Sequence, residues 1–385
     1  MKLIYIANAR IPTEKAHGIQ IMKTCEALVG QGVDLELWLP RRNNPDFEEK
    51  DIFEFYEVKK RFRVRKFFCL DMIGKLNFLP GVGFYIQSKT FANSIKQELR
   101  RGDYKDAIFY SRDTYPLVPV IQAKYRYFYE IHTTKINPGK LLLKVFEKSR
   151  GVVAINGNLA KQLEKYLLED KIIVAHDGVD MEKFGVLITK QKARQALGMP
   201  GNKKIVLYMG HLYDWKGVHT LAHAAEYLDD NATVYIIGGT DKDTSKFKEF
   251  LEKFRLKKIK LLGRVSPSEV PLYLASADVF VLPNSAKKDI SKYYTSPLKL
   301  FEYMASRRPV IASKIPSLLD VLDKSTAIFF TPDDPLDLSK KIKAVLAEEV
   351  PTERIVSNAF QEVQKYSWQA RAKKILSFLN SKLNR

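Results

Sequence analysis

Two cysteines, Cys25 and Cys69, are too few to build a disulfide framework in a chain of 385 residues, and a reducing cytosol is the default setting for such a protein. The chain contains no run of the ~18 consecutive apolar residues that a spanning helix needs, so no transmembrane helix is expected. The opening MKLIYIANARIP has a short apolar stretch followed by charge, which suits a first strand better than a signal peptide. Acidic side chains are in short supply. Asp and Glu number 44 against 64 Lys and Arg, leaving a formal net charge of +20. That excess predicts attraction to polyanions (nucleic acid, an anionic membrane surface or phosphorylated substrates) without choosing among them. Also missing are low-complexity segments, short repeats, a P-loop, clustered cysteines and a Ser-His-Asp order.

What is present is ordinary in bulk: 45% hydrophobic and 28% charged residues, enough for two domains, each with its own core. Apolar runs alternate with helical patterns throughout. The strand candidates of the first half are 2–8, 33–40, 107–111, 126–132, 151–156 and 171–178, separated by amphipathic stretches such as 18–31, 86–101 and 158–168. The second half repeats the rhythm at 204–210, 232–239, 259–263, 278–284, 309–313 and 327–330. Ser266 and Glu269 form a capping-box pattern before strand 278–284. A β-α-β rhythm argues for parallel, doubly wound sheets. The break lies near 178–203, a polar, Lys-rich stretch without a strand pattern. The expectation is therefore α/β, two Rossmann-like doubly wound domains facing a cleft, with ligands beyond the carboxyl ends of the strands. The domains expected are 1–182 and 183–365, followed by a terminal helix, 366–385, that crosses back to the first.

The stretch YYTSPLKLFEYMASRRPVIASKIPSLLD, from Tyr293 to Asp320, is the most informative. Ser296 is suited to cap a helix and Pro297 to its first turn. Leu298, Phe301 and Met304 or Ala305 share one face, leaving Glu302 on another. Arg307 and Arg308 suit the helix's carboxyl end. A helix opening at a cleft offers free backbone N–H groups, here of Leu298 and Lys299, to a phosphate. Gly18, at the head of helix 18–31, lacks a Cβ and so allows a ligand to approach the backbone, although a helix-entry turn is its plain alternative.

Together, His17-Gly18, Glu130-Ile131-His132, HDGVDMEKF (176–184), GHLYDWKG (210–217), SPLKLFEYMA (296–305) and YSWQARAKKIL (366–376) resemble the retaining nucleotide-sugar glycosyltransferases of family 4, with the GT-B fold, over essentially the whole chain. The resemblance implies a nucleotide-sugar site in the second domain, bounded by Gly210, His211, Lys216, Tyr294, Thr295, Ser296, Leu298, Lys299 and Glu302. Lys216 would neutralise the donor diphosphate, and Glu302 would accept hydrogen bonds from the ribose. It places Gly18 and His132 beside the acceptor and the transferred sugar, and gives catalytic roles to His132, Lys216 and Glu302. Two positions depart from the pattern. His211 stands where relatives carry arginine, and Tyr294 stands where they carry the first glutamate of the donor motif. A solvated turn lysine, a surface salt bridge and a structural strand-end histidine are the plain alternatives for Lys216, Glu302 and His132.

Neither a resident cofactor nor a metal is implied, since the donor, a UDP- or GDP-sugar, is a substrate. Asp241 and Asp243 mimic a metal-binding Asp-x-Asp but read as a solvated turn. His219, His223 and Glu226 share a helical face without the glutamate of a zinc-protease motif. The acceptor implied is lipid-linked or a cell-envelope glycan precursor. The segment YEVKKRFRVRKFF (56–68) carries Lys59, Lys60, Arg61, Arg63, Arg65 and Lys66, which would meet an anionic membrane surface on its cytoplasmic side. Nucleic acid is not expected, for no RNA-recognition signature or helix-turn-helix is evident. An epimerase on the same scaffold and a catalytically degenerate partner subunit remain open alternatives.

Overall fold

The computed structural model describes residues 1–47, 50–76, 78–133 and 138–383. Two compact units emerge: Met1–Asp177 with Trp368–Arg385, and Gly178–Ser367. In the first, strands β1 (Lys2–Ile6), β2 (Asp34–Pro40), β3 (Arg63–Phe67), β4 (Ala107–Ser111), β5 (Tyr127–Ile131), β6 (Gly151–Ala154) and β7 (Ile172–Val174) form one sheet in the order β3-β2-β1-β4-β5-β6-β7. Every pairing is parallel. The strands nearest the middle, such as AIFYS and YFYEI, are buried along their whole length, as a sheet covered on both faces requires. Strand order reverses between β1 and β4, and that reversal opens a crevice at the carboxyl ends.

The second unit repeats the plan. Strands β8 (Lys204–Met209), β9 (Ala232–Ile237), β10 (Ile259–Gly263), β11 (Val279–Leu282), β12 (Val310–Ser313) and β13 (Ile328–Phe330) are all parallel, in the order β10-β9-β8-β11-β12-β13. Its reversal falls between β8 and β11. No helix among the described residues is long and apolar enough to cross a membrane.

Three expectations are corrected. The basic stretch, read without a strand, holds one: Arg63–Phe67 is an edge strand paired with β2. Its cations suit an edge that must stay unpaired on its outer side. The division between units falls at Asp177/Gly178, before the expected 182. Val179 is 1% exposed in the core of the second unit, and its N–H donates to the Tyr366 carbonyl. The final helix starts at Trp368 and runs to Leu383 within the first unit. There Phe378 meets Phe128 at 6.0 Å between ring centres and fills the space a Cβ on Gly151 would need. Asn384 and Arg385, the end of the expected terminal segment, lie outside the described residues.

Candidate functional site

At the carboxyl end of β8 the chain turns through Gly210, whose φ of 145° is open to glycine far more readily than to other residues. Its N–H donates to the Ile237 carbonyl. The Tyr208 hydroxyl donates to the His211 carbonyl at 2.7 Å, and the His211 ring stacks on Tyr213 with centres 4.9 Å apart. The turn closes at Gly217, where φ is 74° and a Cβ would fall 1.7 Å from the Pro283 carbonyl oxygen. Glycine is obligatory there, because the turn is pressed against the segment that follows β11. The Ser285 N–H donates to the Trp215 carbonyl across the same contact. Lys216, thus fixed, holds its ammonium 4.1 Å above the Trp215 ring, and burial lowers its pKa to about 8.

The helix expected after Ser296 runs from Leu298 to Ala305, with Pro297 at the cap position and no side-chain cap bond. Ser296 is therefore not the cap. Nor is the helix a one-sided surface element: Lys299, Leu300, Phe301, Tyr303, Met304 and Ala305 are all buried, while Leu298 is only half-buried. Arg307 and Arg308 lie beyond it. Arg307 takes a φ of 54°, and the Arg308 guanidinium donates to the carbonyls of Ala275 and Ala277. Tyr303 ties the helix to β8 by accepting a hydrogen bond from the Met209 N–H at 2.7 Å. Its ring also stacks on Phe280 at 4.3 Å. Glu302 is half-buried, and burial raises its carboxyl to about 7 against the opposing cations Lys183 and Lys299. Tyr294, at the end of the π-helical turn Ile290–Tyr294, is buried, whereas Thr295 and Ser296 are half-buried. Lys299 has Lys216 and Glu302 as its charged neighbours. The second unit therefore gathers two cations, one carboxyl and a helix amino end at its sheet's switch point.

His132 and Gly18 belong to the first unit. Gly18 lies inside the helix Ala16–Gly30. The Tyr56 hydroxyl already occupies the space of its missing Cβ, 2.2 Å from where that atom would stand. Packing thus accounts for this glycine, and approach of a ligand is not needed to explain it. His132 Nε2 lies 2.6 Å from Glu130 Oε1. Burial lowers the imidazole to about 4, with Arg112 adding to the effect against the pull of Glu130. The ring is neutral at neutral pH. Glu130 is itself fully buried. It accepts from Gln20 at 2.7 Å and from Tyr110, and pairs with Arg371 at 2.9 Å. Burial alone would raise its pKa, but Arg371, His132 and Tyr110 outweigh burial and hold it well below the usual carboxylate range. Sequence reasoning passed over Glu130 and Arg371, although both stand inside motifs it singled out. The signal available was strand alternation, which puts residues 130 and 132 on one face of the strand expected at 126–132.

The remaining candidates resolve into structure. Asp243 completes a capping box with Thr240 at the start of the helix Asp241–Lys253, rather than a solvated turn. His219 and His223 pack edge-on against Phe250, and Glu226 accepts from the Lys257 N–H at 3.0 Å. Among the described residues no group of three metal-ligating side chains is found. In the basic stretch, Lys59, Lys60, Arg61, Arg63 and Lys66 are exposed. Arg61 reaches Asp51 at 3.7 Å. Arg65 is half-buried and already paired: it meets Glu98 at 2.9 Å and Glu36 at 3.4 Å and lies over the Phe67 ring.

Residues 189–362 match the family described as Glycosyl transferases group 1. The putative teichuronic acid biosynthesis glycosyltransferase TuaC of Bacillus subtilis (strain 168) is 22% identical over 388 residues, 94% of each chain. Sulfoquinovosyl transferase SQD2 of Arabidopsis thaliana is 29% identical over 205 residues, 51% of this chain and 38% of that protein. Among solved structures, sucrose-phosphate synthase of Thermosynechococcus elongatus aligns with a TM-score of 0.78 at 18% identity over 100% of both chains. HepE of Anabaena, in complex with UDP, aligns with a TM-score of 0.76 at 16% identity over 99% of this chain and 100% of that one. The match to group 1 glycosyl transferases falls within the second unit, and the chain as a whole has the two-domain GT-B fold of these neighbours.

Proposed function

We propose that the protein is a retaining, metal-independent glycosyltransferase of family 4 that takes a hexosyl group from a UDP- or GDP-sugar. The acceptor is a lipid-linked or cell-envelope glycan precursor. The observation that carries this reading is the set of Lys216, Lys299, Glu302 and the amino end of helix Leu298–Ala305 at one switch point. Cations and a helix amino end suit a diphosphate. A half-buried carboxyl suits the paired hydroxyls of a ribose. HepE was solved with UDP and with UDP-glucose, which supports a uridine donor. The likeness to TuaC, a putative teichuronic acid biosynthesis glycosyltransferase, supports a cell-envelope glycan as acceptor.

In the reaction, the bond from the anomeric carbon to the diphosphate oxygen breaks, and the acceptor oxygen bonds to the same face. The acceptor proton passes to the departing diphosphate. Lys216 stabilises the charge that develops on that leaving group. In the first unit, ionised Glu130 takes the Nε2 proton of His132 in a hydrogen bond and leaves Nδ1 as an acceptor for a sugar hydroxyl. Tyr294, standing in place of a carboxylate, leaves the donor sugar to be read by other contacts.

The protein works at the cytoplasmic face of an anionic membrane. Five exposed cations of 59–66 supply the charge. The next segment adds apolar side chains that water does not favour, Phe68 at 58% and Phe78 at 74% exposure. A thermal-shift screen against UDP, GDP, ADP and their sugars tests the donor reading through binding-linked stability. UDP or GDP should raise the melting temperature; no shift with any of the three nucleotides would overturn it.

A further inference from the structure

Lys299 occupies the second position of helix Leu298–Ala305, where a solvated side chain would be ordinary, yet it is only 8% exposed. Its stem carries Nζ back to the turn after β8. There Nζ lies 3.7 Å from the centre of the Tyr208 ring and 3.5 Å from where a Cβ on Gly210 would stand. Among the described residues Nζ has no hydrogen-bond partner. An ammonium carries three donors, and the face of Tyr208 attracts the charge without accepting any of them.

The surroundings make matters worse for the cation rather than better. Burial holds Lys299 well below the usual lysine range, and Lys216 pushes it in the same direction. The acidic neighbour, Glu302, is itself drawn toward its neutral form by burial. A buried donor set without an acceptor costs stability unless something supplies one. Two like charges in such a place fit an anion with several oxygens.

We propose that the Lys299 side chain, and not its backbone amide alone, is a ligand of the donor diphosphate, sharing the phosphate oxygens with Lys216. This inference rests on the donor reading above and assigns one residue within it. Tyr208 and Gly210 act as its seat: the ring supports the ammonium from one side, and the absent Cβ keeps the other side open. Nucleoside diphosphate binding supplies the acceptors that the buried Nζ lacks.

The test compares wild type with Lys299→Met, which keeps the stem and removes the charge. Melting temperatures and affinities are measured with uridine, UMP and UDP, and with the guanosine series. The ligand-free variant should melt no lower than wild type, because a buried charge has been replaced by an apolar group. Nucleoside binding should be unchanged, while diphosphate affinity should fall about tenfold to a hundredfold. Lys299→Arg should recover part of the diphosphate affinity. If Lys299→Met bound the diphosphate as tightly as wild type, or lost nucleoside and diphosphate affinity equally, the assignment would be overturned. If wild type itself ignored both diphosphates, the failure would lie with the donor reading instead.

Discussion

Glu130 in the first unit and Lys299 in the second are both ions removed from water, and they are treated in opposite ways. Glu130 is met from every side by Arg371, Tyr110, Gln20 and His132. Lys299 is met by a ring face, a like charge and one carboxyl that burial draws toward its neutral form. A satisfied buried network holds its members in one geometry, and its worth lies in what it positions. An unsatisfied one stores a demand that only a ligand answers. The comparison separates a cluster that builds a wall from one that waits for an anion, and each can be broken by its own variant.

The largest effect is expected from Arg371→Ala. It strips Glu130 of its buried counter-ion, which should destabilise the protein by about 3–5 kcal/mol, read as a fall in urea midpoint. A change no larger than that of an exposed arginine such as Arg63 would show that the network contributes little. Next, Lys216→Ala and Glu302→Ala should each lower sugar transfer by about two to three orders of magnitude with the circular dichroism spectrum unchanged. Wild-type turnover by both would sink the donor-site assignment. Adding EDTA to wild type should leave transfer unaltered.

The pH dependence of the ligand-free protein is a subtler contrast. Lys216 titrates near 8 in the folded chain against 10.5 when free, so the unfolded state binds more protons between those values and stability should rise there with pH. Glu302 behaves oppositely, at about 7 against 4.5. The folded state holds the extra proton, and stability should fall as pH climbs through that window. Lys216→Met should flatten the first slope and Glu302→Gln the second, as followed by melting temperature. The smallest effect concerns the membrane. Phe78→Ser should weaken sedimentation with anionic vesicles, and reversing Arg63 and Lys66 should weaken it further at low salt. Arg65 is excluded from that test because its partners are Glu36 and Glu98. Unchanged sedimentation in both variants would remove this face from the membrane reading.

Most strands were legible because parallel sheets covered on both faces demand continuous apolar runs, and KIVLYM or AIFYS announces itself. Strand β3 was not. Arg63, Arg65 and Lys66 gave RVRKF the look of a charged surface, and only pairing with β2 and the ion pairs of Arg65 with Glu36 and Glu98 reveal its role. Ser296 looked like a cap, but the π-helical turn Ile290–Tyr294 delivers the chain so that Pro297 occupies that position. The order of GHLYDWKG and SPLKLFEYMA was enough to nominate Lys216 and Glu302.

The sequence by itself determined the two parallel sheets and the identity of the groups at the switch point of the second. Local apolar periodicity, glycine placement and motif order are properties of neighbouring residues. Tertiary structure alone decided which ions are neutralised. Arg371 reaches Glu130 because the final helix packs in the first unit, and Lys299 lies over Tyr208 because its helix is pinned to β8 through Tyr303. Charge is written in the chain, but desolvation and pairing are not, since both depend on what distant segments bring alongside.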